Sequence, residues 1–175
     1  MLKGAPRPAT VSLLVLSVVV TVAGAGCEPG PGPNDAERQE LHRSQTTWAA
    51  LKATSSGAYR YTNRFQSWTG YTSTVIVEVR NDRVARVAFT SDDGAGNVTS
   101  WTESGAEVGT HGDGIPLTVE GAYAECETNV LARDPKTNEI VLHFDNGILT
   151  ACTYRPHDCV DDCIFGPRIG NLELL

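Results

Sequence analysis

Val11-Ser12-Leu13-Leu14-Val15-Leu16-Ser17-Val18-Val19-Val20-Thr21-Val22 is an uncharged, largely apolar run of twelve residues, with Lys3 and Arg7 before it and the small residues Ala23-Gly24-Ala25-Gly26 after it. A membrane-spanning helix needs about 20 apolar residues. An export signal needs only ~7–15, behind a positively charged start. Residues 1–26 therefore read as a cleaved signal peptide. No other feature constrains the fold as much. A domain that folds outside the cytoplasm does so where thiols are oxidised, so its cysteines become cross-links by default.

The four residues Gly24-Ala25-Gly26-Cys27 resemble the lipobox of bacterial lipoproteins, with Gly24 where the usual box carries Leu or a similar residue. The resemblance implies a diacylglyceryl group on the Cys27 thiol, cleavage before Cys27, and acylation of the new amino group. The alternative is an ordinary cleaved signal with Cys27 as a plain cysteine. Cysteine arithmetic favours the lipoprotein: of five cysteines, assigning Cys27 to lipid leaves four, enough for two disulfides. Each buried CH₂ of an acyl chain contributes roughly 0.8 kcal/mol, and more than one chain makes anchoring stable. Glu28-Pro29-Gly30-Pro31-Gly32-Pro33 follows, too rich in Pro and Gly for helix or ladder, and suited to an extended spacer. Glu28 stands where Asp signals inner-membrane retention in some bacteria, which favours the outer membrane over the inner. The organisation is thus signal peptide over 1–26, lipidated Cys27 and tether over 27–34, and one domain over 35–175.

The formal charge is −7 over the whole chain and becomes −9 once Lys3 and Arg7 leave with the signal. Such a surface repels phosphates, which excludes nucleic acid as a partner. It also offers no basic patch for anionic lipid, so membrane attachment must come from the anchor.

Within the domain, Asn34 or Asp35 can cap a helix, with Asn34-x-x-Glu37 like a capping box. Leu41, Trp48 and Leu51 share one side of it, and Ser55-Ser56-Gly57 ends it. Tyr59, Tyr61 and Phe65 then alternate with polar residues, as do Tyr71, Ser73, Val75, Val77 and Val79. Asn81-Asp82 turns the chain into a third strand with Ala85, Val87 and Phe89 on one face, and a weaker fourth strand carries Trp101. After a Gly-rich connection, Thr118 caps a second helix, predicted to about Ala132. In it Val119, Tyr123, Cys126 and Val130 follow the period of 3.6. Asn146-Gly147 marks a type I′ hairpin between Ile140–Phe144 and Ile148–Tyr154, and a further edge strand is predicted around Arg168–Leu172. The expectation is an α+β domain: an antiparallel sheet of about five to seven strands with two helices packed on one face, in the order α-β-β-β-β-α-β-β.

Cys126, Cys152, Cys159 and Cys163 are the disulfide candidates. A regular two-residue turn at Asn146-Gly147 places Cys152 opposite Val141, on the face of His143 and away from Leu142, Phe144 and Leu149. That parity predicts Cys152 bonded to Cys159 or Cys163, and Cys126 to the other. The competing pairing is Cys126–Cys152 with a small Cys159–Cys163 loop. His157, Cys159 and Cys163 beside Asp158, Asp161 and Asp162 are acceptable to zinc, but their spacing matches no tight signature and oxidation favours disulfides; no metal is expected.

No cofactor motif and no nucleophile or zinc motif surrounds His42, His111, His143 or His157. Asp92-Asp93-Gly94-Ala95-Gly96-Asn97 lacks the acidic spacing of a calcium loop, and Glu103, Glu107 and Asp113 form no evident catalytic pair. Tyr59, Tyr61, Trp68, Tyr71 and Trp101 fit either a groove for peptide or glycan or ordinary packing. Trp48, Tyr59-Arg60-Tyr61, Val75–Val84 and the tail Cys152-Thr153-Tyr154-Arg155-Pro156 with Cys159-Val160-Asp161-Asp162-Cys163 are similar to a family of small bacterial lipoproteins of unknown function, over about residues 36–170. That likeness implies an α+β domain and no established activity. The expected function is a membrane-tethered, non-catalytic binding or structural module with a protein or envelope-polymer partner. The alternative is an inhibitor of a secreted or envelope hydrolase, presenting Ser91–Gly96 or Gly105–Pro116 as a rigid loop. An enzyme would require a deep pocket with His143 or His157 beside a carboxylate.

Overall fold

The computed structural model describes residues 32–111, 116–161 and 163–175. The signal, Cys27, most of the tether, Asp113 and Asp162 lie outside the described residues.

Helix α1 (Asp35–Ala53) buries Leu41, Ser44 and Trp48, with Leu51 packed at their margin. Asn34 precedes it but is not its side-chain cap. With a left-handed φ of 65°, its amide reaches away and donates to Leu131 O and Arg133 O, at 3.1 and 3.0 Å. Asp35, the first residue of the helix, accepts from the Gly32 N–H with its carboxylate, which braces the chain that enters the helix.

Four antiparallel strands follow: β1 (Tyr59–Gln66), β2 (Thr72–Arg80), β3 (Arg83–Asp92) and β4 (Val98–Ser104). Asn81 and Asp82 both take positive φ (51° and 61°), as a type I′ turn requires. Helix α2 (Val119–Glu125) is capped by Thr118 Oγ1, which accepts from the Gly121 N–H at 3.0 Å, and runs on as a π-helical turn over Cys126–Val130. Strands β5 (Asn138–Asp145) and β6 (Ile148–Pro156) form the second hairpin, and β7 (Glu173–Leu174) ends the chain. The domain is α+β in the expected order, but the strands divide into two sheets. One has the order β4-β3-β2-β1-β7, and the other is β5-β6 alone. The edge strand predicted at Arg168–Leu172 forms at Glu173–Leu174, against β1.

Between the two sheets runs the segment Ile164–Gly170. It bridges to β6 at Phe165 and Arg168, and Gly170 O accepts from the Thr62 N–H of β1 at 2.7 Å. Pro167 has no N–H to give, so the segment cannot continue a ladder and the sheets stay separate. Side chains at Gly166 and Gly170 would run into the main-chain oxygens of Cys152 and Thr62, which fixes both positions as glycine. The core lies where the helices meet both sheets. Trp48 stands edge-on to Tyr59 at 4.9 Å, and Tyr123 Oη bonds Ser44 Oγ at 2.6 Å while accepting from the Leu149 N–H at 3.1 Å.

The disulfides are Cys126–Cys152 and Cys159–Cys163, with Cα atoms 5.6 and 6.2 Å apart. This corrects the pairing predicted from strand parity. The Asn146-Gly147 turn is type I′, but the register slips between His143 and Phe144, leaving Thr150 as an extra residue in β6. One inserted residue reverses every later side chain. Cys152 therefore faces Leu142 on the buried side and meets Cys126, both fully buried. A second bulge leaves Ala85 unpaired, so Val84, not Ala85, lies opposite Val79 and packs on the core.

Loop-closure entropy ranks the two bridges. Replacing Cys126 and Cys152 with Ser should cost about 3.5 kcal/mol and replacing Cys159 and Cys163 about 2 kcal/mol, read as urea midpoints of oxidised protein. Equal losses would mean that the tail cysteines are bonded to Cys126 and Cys152, since either double replacement would then break both bridges.

Candidate binding site

The cross-strand register aligns Asn63, Val75, Phe89 and Trp101 in one row across β1–β4, on the sheet face that carries Tyr61 and Val77. Phe65 and Ser73 form the next row on the same face. The helices bury the Tyr59–Val79 end of this face, whereas Phe65 remains 46% exposed. At that open end is a cleft of about 370 Å³. Asn63 and Phe65 of β1 form one wall, Ile164–Ile169 the other, Val75 the floor and Leu117 the end nearest α2.

Buried hydroxyls hold these walls in place. Tyr61 Oη donates to Leu117 O, which fixes the entry to α2 over β1, and burial pushes the Tyr61 phenol up to about 12. Tyr59 Oη donates to Glu120 Oε2 at 2.9 Å and accepts from the Val119 N–H at 3.0 Å. Asn63 Oδ1 accepts from the Gly170 N–H at 3.2 Å, and Ile169 N–H bonds Thr150 O at 2.7 Å. The opposite wall is thus strapped to both sheets.

Farther along the face, Phe89 stacks on Trp101 (5.2 Å, 19°) and Trp101 on His111 (5.1 Å, 17°). Beneath the stack, Glu103 is 1% exposed. Burial raises its pKa, but N–H donors at Gly109 (2.6 Å) and His111, the His111 ring and the Thr110 hydroxyl outweigh that and hold it at about 2. A carboxylate there assigns the shared proton to His111 Nδ1, 3.0 Å away, and leaves Nε2 as the open ring nitrogen. Thr110 Oγ1 lies on the Nδ1 side at 3.5 Å. The carboxylate's evident work is to organise the loop over 105–111.

The residues singled out in the sequence separate accordingly. Tyr59 and Tyr61 belong to the core, Tyr71 packs on Phe65 at 6.2 Å, Trp68 is 83% exposed at the β1–β2 turn, and Trp101 joins the stack. His143 lines a second hollow with Glu139, but Glu139 is bound to Arg155 at 2.7 Å. His157 is exposed, and its main-chain N–H bonds Thr137 O at 3.0 Å. Asp93 turns its carboxylate onto its own loop, accepting from Ala95 and Asn97, so the turn at 93–97 is self-braced. Part of the 105–116 loop lies outside the described residues. Cys159 and Cys163, weighed as metal ligands, bond to each other. Arg64, Arg168 and Ile164 escaped the sequence reading, because only the long-range strap brings them together.

Among the described residues no helix is long and apolar enough to cross a membrane. None of the protein-family models, curated proteins or solved structures compared with the chain matches it.

Glu103 also sets an acid limit. Its folded pKa of about 2 lies below the ordinary 4.5, so its stabilisation is complete above about pH 4.5 and disappears as pH falls toward 2. Unfolding midpoints measured from pH 5 to 2 should drop in this window, and Glu103→Gln should lower stability at pH 6 while flattening the acid limb. An unchanged acid limb in that variant would assign the loss to other carboxylates.

Proposed function

We propose that the chain is a cell-envelope lipoprotein whose domain is a non-catalytic binding module, held on the outer membrane by acyl chains on Cys27. One observation carries the binding reading: exposed Phe65, Leu117 and Ile164 (46%, 42% and 53%) gather around one cleft instead of being scattered. Large apolar side chains left in water gain from being covered, and gathered at a concave site they favour a partner. Single exposed side chains such as Val160 need no such account.

The lipobox-like Gly24-Ala25-Gly26-Cys27 and the Pro/Gly tether support the anchored placement. An extended tether of this composition spans ~3 Å per residue, enough to lift the domain clear of the lipid headgroups.

Two measurements test this reading. Cys27→Ala should move the protein from membranes to soluble fractions; a variant that stays membrane-bound removes the anchor. A photo-cross-linking residue in place of Phe65 should trap one discrete envelope partner in living cells, and the same group in place of Thr102, on the opposite sheet face, should not. Equal yields from both positions would remove the cleft as the binding surface.

A further inference from the structure

The inference concerns what the cleft binds, and it rests on reading that cleft as the partner site. Thr62 donates its main-chain N–H outward to Gly170, so the alternation along β1 turns the N–H and C=O of Arg64 to the same outer edge. β7 covers that edge only at Tyr59 and Arg60, and Gly170 covers it at Thr62. Past Thr62, among the described residues, no strand lies beside it. An unpaired edge of this kind is a template for an added strand.

Charge narrows the choice. Arg64 and Arg168 are the ionic residues of the cleft lining, which holds no carboxylate; alternation along β1 sends the Arg64 side chain to the sheet face opposite Asn63 and Phe65, so Arg168 is the cation that the cleft presents. Elsewhere Arg38, Lys52, Arg60, Arg86 and Arg155 are each paired with a carboxylate and Arg133 lies over the Tyr154 ring at 4.5 Å, whereas Arg43, Arg80, Arg83 and Lys136, outside the cleft, have no carboxylate partner among the described residues. Arg64 and Arg168 have no such partner among the described residues. The unmatched guanidinium of Arg168, in a cleft without a carboxylate, favours an anion there even in a domain of net negative charge.

We propose that the cleft takes an extended peptide bearing an acidic side chain, which adds to β1 at Arg64. The peptide main chain bonds the free N–H and C=O of Arg64, an apolar side chain packs between Phe65 and Ile164, and the carboxylate meets Arg168. Main-chain pairing supplies affinity and the side-chain pockets supply selectivity, as in other strand additions.

The test uses the full chain in mild detergent and a fluorescein-labelled Thr-Val-Asp-Val-Thr peptide followed by anisotropy. The Asp peptide should bind about ten-fold more tightly than its Asn counterpart, the scale of one charge-assisted hydrogen bond. Arg168→Gln should abolish that difference, whereas Arg43→Gln, on α1, should preserve it. Methylating the peptide's central main-chain nitrogens should abolish binding. Equal affinity for the Asp and Asn peptides, or indifference to Arg168→Gln, overturns the acidic assignment. Binding that survives methylation overturns strand addition. Absence of peptide binding overturns the whole proposal, and cross-linking from position 65 then tells whether the cleft binds something else. Self-association that disappears in Arg168→Gln would give the cleft to a second copy and likewise overturn it.

Discussion

Glu120 ties together elements that the chain keeps far apart. Its Oε1 accepts from Trp48 Nε1 at 2.9 Å and from Lys52 Nζ, both on α1, and its Oε2 accepts from Tyr59 on β1 at 2.9 Å. Lys52 extends the node to Asp82 in the β2–β3 turn. Burial alone would raise the carboxyl pKa, but the Lys52 ammonium and the Trp48 and Tyr59 donors outweigh it, and the net shift is downward. For Lys52, burial pulls the ammonium down, and the two carboxylates more than reverse that. A partly buried charge with one partner is costly to leave unpaired, so α1, β1 and α2 have one mutually satisfied arrangement. Everything at the cleft follows from it. Once Glu120 fixes α2, Leu117 stands over Tyr61, and the open end of the sheet face becomes a cleft.

The other determinant is two single-residue insertions, and here the sequence is only partly legible. Both turns were readable because their chemistry is local. Asn81-Asp82 and Asn146-Gly147 supply the positive φ values that type I′ geometry demands. Thr150 and Ala85 carry no such mark. Each is compatible with a regular strand, and each becomes a bulge only because a long-range contact requires it. At Thr150 that contact is the Cys126–Cys152 bond together with the strap, whose Ile169 N–H takes the Thr150 carbonyl. Parity reasoning was sound up to the bulge and reversed beyond it. Asn34 shows the same limit. Its residue type suits a cap, yet its amide has better acceptors at Leu131 and Arg133, which only the fold brings near.

The cleft was legible as a set of residue types and not as a place. Alternation marked Tyr59, Tyr61 and Phe65 as one face, which is correct, but alternation says nothing about where a covering helix stops. Because α2 is short, the cover ends after Tyr61 and leaves Phe65 open. The far wall was hidden for a different reason. Gly166, Pro167 and Gly170 read as loop, and a loop becomes a wall only when it is bonded on both sides, to β6 and to β1.

A net-negative domain that favours an anion at one point involves no contradiction, because the two effects act over different distances. At physiological ionic strength the Debye length is about 8 Å, so the diffuse negative charge is largely screened from an approaching ligand. Arg168 acts at contact range, where the low-dielectric walls formed by Phe65, Val75 and Ile164 limit that screening. For the ligand proposed above, the surrounding charge would serve selectivity: it would weaken non-specific association with polyanions, while the cleft would admit a short anionic segment that can also lie flat as a strand. The anchor proposed on Cys27 would add to this: a module held near its partners meets them at high effective concentration, and modest affinity would then suffice.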